Sequence, residues 1–337
     1  MKDFIIAGVD VSKLTLDIFL KPSGQRFTIA NSQQGFDQWF KDFIVLLDDE
    51  IKVLVVMEHT GQYSRRFEVF LRAHGIDYCK VNALQIKRSM GMIRGKNDGV
   101  DAERISEFGW LRRHTLVGDE DLSEPVKKLR SLMSLRQNLV RSRSGMMSRL
   151  KEMLSSGDCI KGDDQWHILQ GTVDHLSSQI KEVERGMKTL IGSHESLQKT
   201  CELLISIKGI GWLIACYMIS STDNFKLFKN ARKFNCYAGI APFTHQSGTS
   251  IKTRSRVSHL ANKEAKTLLN LAAFSAIRYN PEMKAYYQRR VAEGKNKMSC
   301  INAIRSKLVA RIFAVAKRQT PYQASNTYNP NNPSLKN

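Results

Sequence analysis

A mixed α/β sheet covered by helices, followed by a mostly helical remainder, is the fold this sequence predicts. Three strand-like stretches succeed one another at the start, and strand and helix then alternate. Past residue 100, apolar residues recur almost only at helical spacing.

Phe4 to Val9 form an apolar run, Asp10 to Lys13 a polar break, and Leu14 to Leu20 alternate around Asp17, which together read as a β-hairpin. Gln25 to Ala30 suit a third strand, after which Asn31 and Ser32 cap a helix over Phe36 to Leu47. Lys52 to Met57 (KVLVVM) is a continuous β-branched run, the pattern of a strand buried on both faces. A helix from Tyr63 to His74, ended by Gly75, precedes a strand from Asp77 to Val81. Residues 82–100 read as a basic loop, with Gly91, Gly95 and Gly99 among Lys87, Arg88, Arg94 and Lys96; a helix begins near Asp101. Helical spacing runs from Glu124 to Leu154 and again from Asp174 to Ile191, a pair that suits a helical hairpin or short coiled coil. The last third is helical around a compact centre, Tyr237 to Gly248, and ends in a basic amphipathic helix, Ser299 to Lys317. The expected division is 1–115 (α/β), 116–198 (helical hairpin), 199–320 (mostly helical) and 321–337, an Asn- and Pro-rich tail that composition predicts to be disordered.

The 337 residues give room for two or three domains, and 42% hydrophobic with 25% charged residues is ordinary for a globular chain. The charge balance is not ordinary: 52 Lys and Arg against 32 Asp and Glu leave +20. Such an excess points to a polyanionic partner, nucleic acid first, against the alternative of a merely basic surface. No window approaches the ~18–20 apolar residues of a membrane span. Asp10 and Lys13 interrupt what would be a signal-peptide core, so a cytoplasmic protein without a membrane partner is expected. Cysteines 79, 159, 201, 216, 236 and 300 form no C-x-x-C pair, which excludes a standard zinc ribbon and suits reduced, mostly buried thiols.

Asp10 ends one apolar strand and Glu58 another, at the C-terminal sheet edge where open α/β folds place their sites. Carboxylates on adjacent strand ends are costly unless a cation compensates them, and hard oxygen ligands suit magnesium, with manganese as the substitute. Asp98 and Asp101 are three apart at a helix start and share one face of its first turn. Taken alone, that pair is better explained by the preference of Asp for helix N-termini. Asp17 is better explained as part of a polar hairpin face. An Asp on the first strand, a Glu on the fourth and an Asp pair on a later helix is the layout of RNase H-like, RuvC-type nucleases, whose metals drive phosphoryl transfer. In Tyr237–Ser250 (YAGIAPFTHQSGTS), Gly239, Pro242 and Gly248 shape a loop around Ser247. An ordinary Ser–Gly turn explains it locally. A nucleophilic reading needs a base or metal to activate the hydroxyl; His245 is the nearest base.

GVDVSK around Asp10, MEHTGQY around Glu58, KNDGVDA around Asp98 and Asp101, and YAGIAPFTHQSGTS around Ser247 stand in order over nearly the whole chain, residues 5–320. By these motifs the sequence resembles the DEDD-type insertion-sequence transposases with a C-terminal serine, a family that includes the Piv-type DNA invertases. The resemblance implies an N-terminal RuvC-like domain, a coiled-coil middle and a C-terminal transposase domain. It also implies that Asp10, Glu58, Asp98 and Asp101 are metal ligands and that Ser247 forms a phosphoserine link to DNA. A structured guide RNA that pairs with element ends and target DNA is implied too, with homodimers that assemble into tetramers. The chain departs from the pattern where many relatives have a Gly-Asn step and then an Arg: it reads Ala261-Asn262 and then Lys266.

Other residues suit nucleic-acid contact. Lys208, Gly209 and Gly211 lie in a helix-hairpin-helix-like stretch whose backbone N–H groups would face a phosphate, though a tight interhelical turn in the core explains it equally. Lys252, Arg254 and Arg256 alternate after Ser247, and Arg94 and Lys96 precede the Asp pair. The function expected is a transposase or site-specific recombinase acting on double-stranded DNA. The alternatives are a metal-only RuvC-like nuclease or junction resolvase, in which Ser247 only shapes a loop, and a non-catalytic scaffold, for which four acids have no use.

Overall fold

The computed structural model describes residues 4–47, 51–59, 61–89, 98–119, 122–243, 246–247, 251–252, 256–257 and 261–323. They form two compact units, Met1–Asp121 and Leu122–Asn337.

In the first unit, β1 (Phe4–Val11), β2 (Thr15–Lys21) and β3 (Arg26–Ala30) form an antiparallel meander. Helix α1 (Gln33–Asp42) and a 3-10 turn (Ile44–Leu46) lead to β4 (Lys52–Glu58), and α2 (Arg65–Ala73) to β5 (Asp77–Val81). β4 and β5 add in parallel on the other side of β1, so the sheet order is β3-β2-β1-β4-β5. Helices α3 (Ala83–Ser89) and α4 (Asp98–Leu111) complete the unit. The β-branched run of β4 has its reason here: Val55 and Met57 join the core under α1 and α2, while Leu54 and Val56 join the core with Ile86, Ile105 and Phe108 of α3 and α4. Part of the expected basic loop is therefore helix α3, started by Asn82, whose side chain accepts a hydrogen bond from the Leu84 amide at 2.9 Å. Gly91 and Gly95 lie outside the described residues.

Gly8 decides how α4 sits. A Cβ there would stand 2.2 Å from the Ser106 nitrogen and 2.4 Å from the Ala102 oxygen. The α4 backbone thus rests directly on β1. One turn further along, a Cβ on Gly109 would meet the Ile6 and Val56 methyls at 2.6 and 2.9 Å. From Gly109 back to Ala102 the helix advances from Ile6 to Gly8, so its first turn lies toward the C-terminal ends of β1 and β4. Glu107 pairs with Lys21, and Glu103 with Arg26 at 2.5 Å, which ties α4 to β2 and β3. Partly exposed pairs of this kind contribute about 0–1 kcal/mol each. Backbone packing at Gly8 therefore sets the position, and the ion pairs trim it.

The second unit opens with α5 (Glu124–Ser156) and α6 (Asp164–Gly192), an antiparallel hairpin. α5 ends at Gly157 in a left-handed conformation, φ 84°, and α6 starts at Asp163, whose carboxylate accepts from the Trp166 amide at 2.6 Å. That cap starts α6 earlier than the Asp174 expected. Six helices follow: α7 (Glu195–Ile205), α8 (Trp212–Thr222), α9 (Ala231–Tyr237), α10 (Lys263–Tyr279), α11 (Pro281–Ala292) and α12 (Lys297–Arg318). Two short two-stranded ladders, β6 (Pro242–Phe243) with β9 (Arg256–Val257) and β7 (Gln246–Ser247) with β8 (Ile251–Lys252), lie between α9 and α10. The expected boundary near residue 198 does not separate two cores. Met187, Leu190 and Ile191 of α6 share one core with Leu197, Cys201 and Leu204 of α7 and with Ile304, Leu308 and Ile312 of α12. The hairpin is an arm of this unit. Pro321 and Tyr322 of the expected tail are described, and the Tyr322 amide donates to Ser206 Oγ at 2.7 Å; residues 324–337 lie outside the described residues. Among the described residues no helix is long and apolar enough to cross a membrane.

Gly8→Ala is expected to destabilise the first unit by roughly 2–3 kcal/mol, because the new methyl has no room. Gly145→Ala, exposed within α5 with nothing within 4 Å of its added Cβ, is expected to stabilise the second unit by about 0.5–1 kcal/mol. Denaturant unfolding of the two variants beside wild type checks both signs.

Candidate active site

The β1–β4 register runs Gly8 beside Val56 and Val9 beside Met57, so the next step sets Asp10 beside Glu58 on strands about 4.8 Å apart. Alternation fixes their face. Val9 and Met57 point into the α1–α2 core, and Asp10 and Glu58 take the other side, the side of α4. Both are half-buried. Helix α4 brings its first turn to the same edge, with Asp98 as its first residue and Asp101, also half-buried, one turn on. A helix N-terminus favours negative charge close to it. The Asp98 side chain, like Arg94 and Lys96, lies outside what is described.

Electrostatics shows that two of these acids sense each other. Burial raises the Glu58 carboxyl above the usual carboxylate range, the negative charge of Asp101 raises it further, and His59 partly opposes both. Arg104 donates to Asp101 Oδ1 at 2.8 Å, one turn along α4. Asp17, which the sequence suggested belongs to a polar hairpin face, lies directly opposite Asp10 in the β1–β2 register and so shares its side of the sheet. It is half-buried and accepts a hydrogen bond from Thr28 Oγ1 at 2.6 Å. Arg104 left no signal in the sequence. Asp119, in the segment after α4, accepts from the amide of Lys80 on β5 at 3.2 Å, and burial raises its carboxyl too.

Among the described residues no three Asp, Glu, His or Cys side chains converge closely enough to hold a metal by themselves. The donor chemistry nonetheless fits a hard divalent cation: Asp10, Glu58 and Asp101 offer only carboxylate oxygens, share one edge, and include a pair whose mutual repulsion a cation would relieve.

Ser247 belongs to the second unit. It lies in β7, where it pairs with Ile251 while Gln246 pairs with Lys252. Arg256 pairs with Phe243 in the other ladder. Arg254 and His245 lie outside the described residues. The α7–α8 turn divides the two glycines expected to bind phosphate. Gly209, at φ 104°, is wedged against α10, where an added Cβ would stand 2.7 Å from the Ala276 Cβ; its glycine is explained by core packing. Gly211 has nothing within 4 Å and begins α8 without a side-chain cap, so the first amides of that helix are uncapped by side chains. Lys208 beside them is exposed.

Comparison with known proteins agrees with this architecture. Residues 7–157 match the DEDD-type transposase family of IS110 elements, and residues 201–288 match the transposase family IS116/IS110/IS902. The pilin gene-inverting protein of Moraxella bovis is 28% identical over 322 residues, which span 94% of this chain and 96% of that protein. The transposase for insertion sequence element IS1111A of Coxiella burnetii is 23% identical over 357 residues, 96% of this chain and 92% of the relative. An RNase H-like sheet with acids at its C-terminal edge and a helical unit after it is the fold, and these matches make the chain a DNA transposase or recombinase. The chain belongs to the IS110-type family of DEDD transposases, a family that implies dependence on a divalent metal and a DNA substrate.

Because the folded-state Glu58 pKa lies above its unfolded value, the folded chain binds that proton more tightly. Its carboxylate therefore opposes folding above the folded pKa, and the penalty is relieved as pH falls through it. Glu58→Gln is accordingly expected to raise the unfolding midpoint of metal-free protein at neutral pH while it abolishes recombination. A thermal melt in chelator, paired with a recombination assay, reads both; a lowered midpoint would contradict the electrostatic account.

Proposed function

We propose that this transposase cuts and rejoins DNA through Ser247, with Asp10, Glu58, Asp98 and Asp101 as ligands of a divalent metal, magnesium first and manganese as its substitute. The observation that carries the reading is the meeting of Asp10 and Glu58 at the edge where α4 delivers Asp101, within a chain whose two halves match one transposase family in order. A bound divalent cation would supply charge neutralisation at the scissile phosphate and lower the pKa of a coordinated hydroxyl. The acids hold and orient; the covalent step belongs to the serine. Ser247 Oγ attacks phosphorus, one P–O ester bond forms as one breaks, and the freed sugar hydroxyl takes up the proton the serine loses. Attack by a second strand's hydroxyl reverses the exchange and frees the serine. No bond energy is lost, so no nucleotide cofactor is required.

In this reading residues 1–115 supply the carboxylates, 116–198 form an arm and 199–320 present the serine. Arg94, Lys96, Lys252, Arg254 and Arg256 contact the strands being exchanged, and Lys208 with the amides after Gly211 holds a phosphate; Gly209 serves by shaping the turn. The +20 charge supports a large polyanionic partner. The motifs shared with the family support a structured guide RNA and a dimer that assembles into a tetramer. In this reading one strand exchange would serve both inversion, named for the Moraxella relative, and transposition, named for the Coxiella one.

An intact element on a donor plasmid, assayed by amplification across the excised or inverted junction, tests the reading. Wild type is expected to give junctions and a denaturant-resistant protein–DNA adduct, while Ser247→Ala and Asp10→Asn give neither at equal protein levels. Junctions from Ser247→Ala would move the assignment to a metal-only nuclease or junction resolvase.

A further inference from the structure

Among the described residues Arg305 is a buried cation with no ion-pair partner. It lies on α12, 4% exposed, and its guanidinium donates to two neutral amide oxygens: Asn270 Oδ1 of α10, through Nη2, and Asn302 Oδ1 at 3.4 Å, through Nη1. Its Nε is buried and has no partner. Burial lowers its pKa, as expected of a charge held without an opposite one. Arg311, further along the same helix, shows the ordinary arrangement, paired with both oxygens of Glu282 at 2.6 and 2.7 Å. Packing alone does not account for Arg305, since an apolar side chain of similar volume stabilises such a position as well or better.

What Arg305 holds is more telling. With its oxygen turned to the guanidinium, the Asn302 amide can present only its NH2 group elsewhere, and it donates to the Ile240 carbonyl at 2.8 Å. The same short stretch is gripped from the opposite direction. The Asn235 carbonyl accepts from the Ile240 and Ala241 amides at 2.9 and 3.1 Å, and its side chain donates to Ser306 Oγ at 2.9 Å, the residue after Arg305. Asn235 Oδ1 is the second buried atom of this cluster without a partner. Ile240 and Ala241 lead straight into β6 and then into β7, which carries Ser247. The return of this excursion is closed as tightly: the Asn262 amide donates to the Tyr237 carbonyl at 2.9 Å, and its side chain donates to the Tyr237 hydroxyl at 2.6 Å. Asn262 also receives the Tyr217 hydroxyl at 3.2 Å and caps α10.

We propose that Arg305 is a positioning residue for the serine-bearing segment, acting through Asn302 on the Ile240 carbonyl. The assignment rests on Ser247 being the nucleophile. An arginine serves where a neutral side chain does not, because its rigid fork reaches α10 and α12 at once and fixes which end of the Asn302 amide faces the loop. Ile240, just before β6, is thereby fixed relative to the helical core. Removing the brace leaves DNA binding unchanged and slows the chemical step.

The test uses the full chain with element-end DNA and RNA transcribed from the element's flank. The rate of adduct formation at saturating DNA and the half-saturating DNA concentration are measured separately, with a thermal melt for each variant. Arg305→Met approximates the volume without the fork. Asn302→Asp gives Arg305 a carboxylate partner but removes the bond donated to Ile240. The expectation for Asn302→Asp is an unfolding midpoint at or above wild type, a rate at least tenfold lower, and half-saturation within twofold of wild type. Arg305→Met is expected to match that rate, and Arg305→Lys, with one compact ammonium, to fall between. Should Arg305→Met fail to fold, Asn302→Asp carries the test. Wild-type rates from Asn302→Asp would overturn the proposal, as would a loss confined to half-saturation with a weaker salt dependence, which would make Arg305 a phosphate contact. Ser247→Ala separates the two layers: adducts from it would remove the nucleophile reading, whereas none from it together with a wild-type rate from Asn302→Asp would remove only the brace.

Discussion

The approach of α4 to β1 at Gly8 is the constraint on which the first unit depends. A helix normally rests on a sheet through its side chains, about 10 Å away. Here backbone atoms of Ala102 and Ser106 lie 2.2–2.6 Å from where a Cβ on Gly8 would stand, well inside van der Waals contact. The seating fixes both the lateral position and the axial phase of α4. Because Gly8 is two residues before Asp10 on the same face, the first helical turn is brought to the strand ends that carry Asp10 and Glu58. Ion pairs to Lys21 and Arg26 add little by comparison. The acids are thus gathered by backbone contact, and their mutual repulsion, visible in the raised Glu58 carboxyl, is a strain the packing sustains.

The second unit solves a different problem with the same economy. Its core is continuous from the base of the α5–α6 hairpin through α12, and the segment bearing Ser247 leaves that core as an excursion. Short two-residue strands cannot hold a long loop by themselves. Its two roots are instead fixed by asparagines: the Asn302 side chain and the Asn235 carbonyl before β6, and Asn262 after β9. A rigid base is the usual way a scaffold places a functional segment.

Much of this was legible in the sequence, and the exceptions are instructive. KVLVVM declared a strand buried on both faces, and the positions of Asp10 and Glu58 at strand ends followed from apolar runs alone. Asp17 reads as part of a polar hairpin face, and its hydrogen bond from Thr28 on the next strand agrees; the register adds that it stands opposite Asp10. Gly8 carried no local signal, since a close approach is a tertiary fact. Helix α3 hid in a segment whose glycines and charges suggested a loop, and α6 began earlier than expected because the cap at Asp163 outweighed the polar residues after it. In α12 the basic residues read as an outward face. Yet Arg305 is four residues from both Ile301 and Val309, on the apolar side, and that spacing was available to be read.

In the proposed function, the seat on Gly8 assembles one cation site from acids on β1, β4 and α4. Titration of manganese into metal-free protein, followed by the loss of the free-ion electron paramagnetic resonance signal, tests it most directly. Wild type is expected to bind, and Asp10→Asn, Asp101→Asn and Gly8→Ala each to weaken binding at least tenfold, the last without removal of any ligand. Manganese bound equally well by Asp101→Asn or by a folded Gly8→Ala would contradict the claim and place the cation elsewhere.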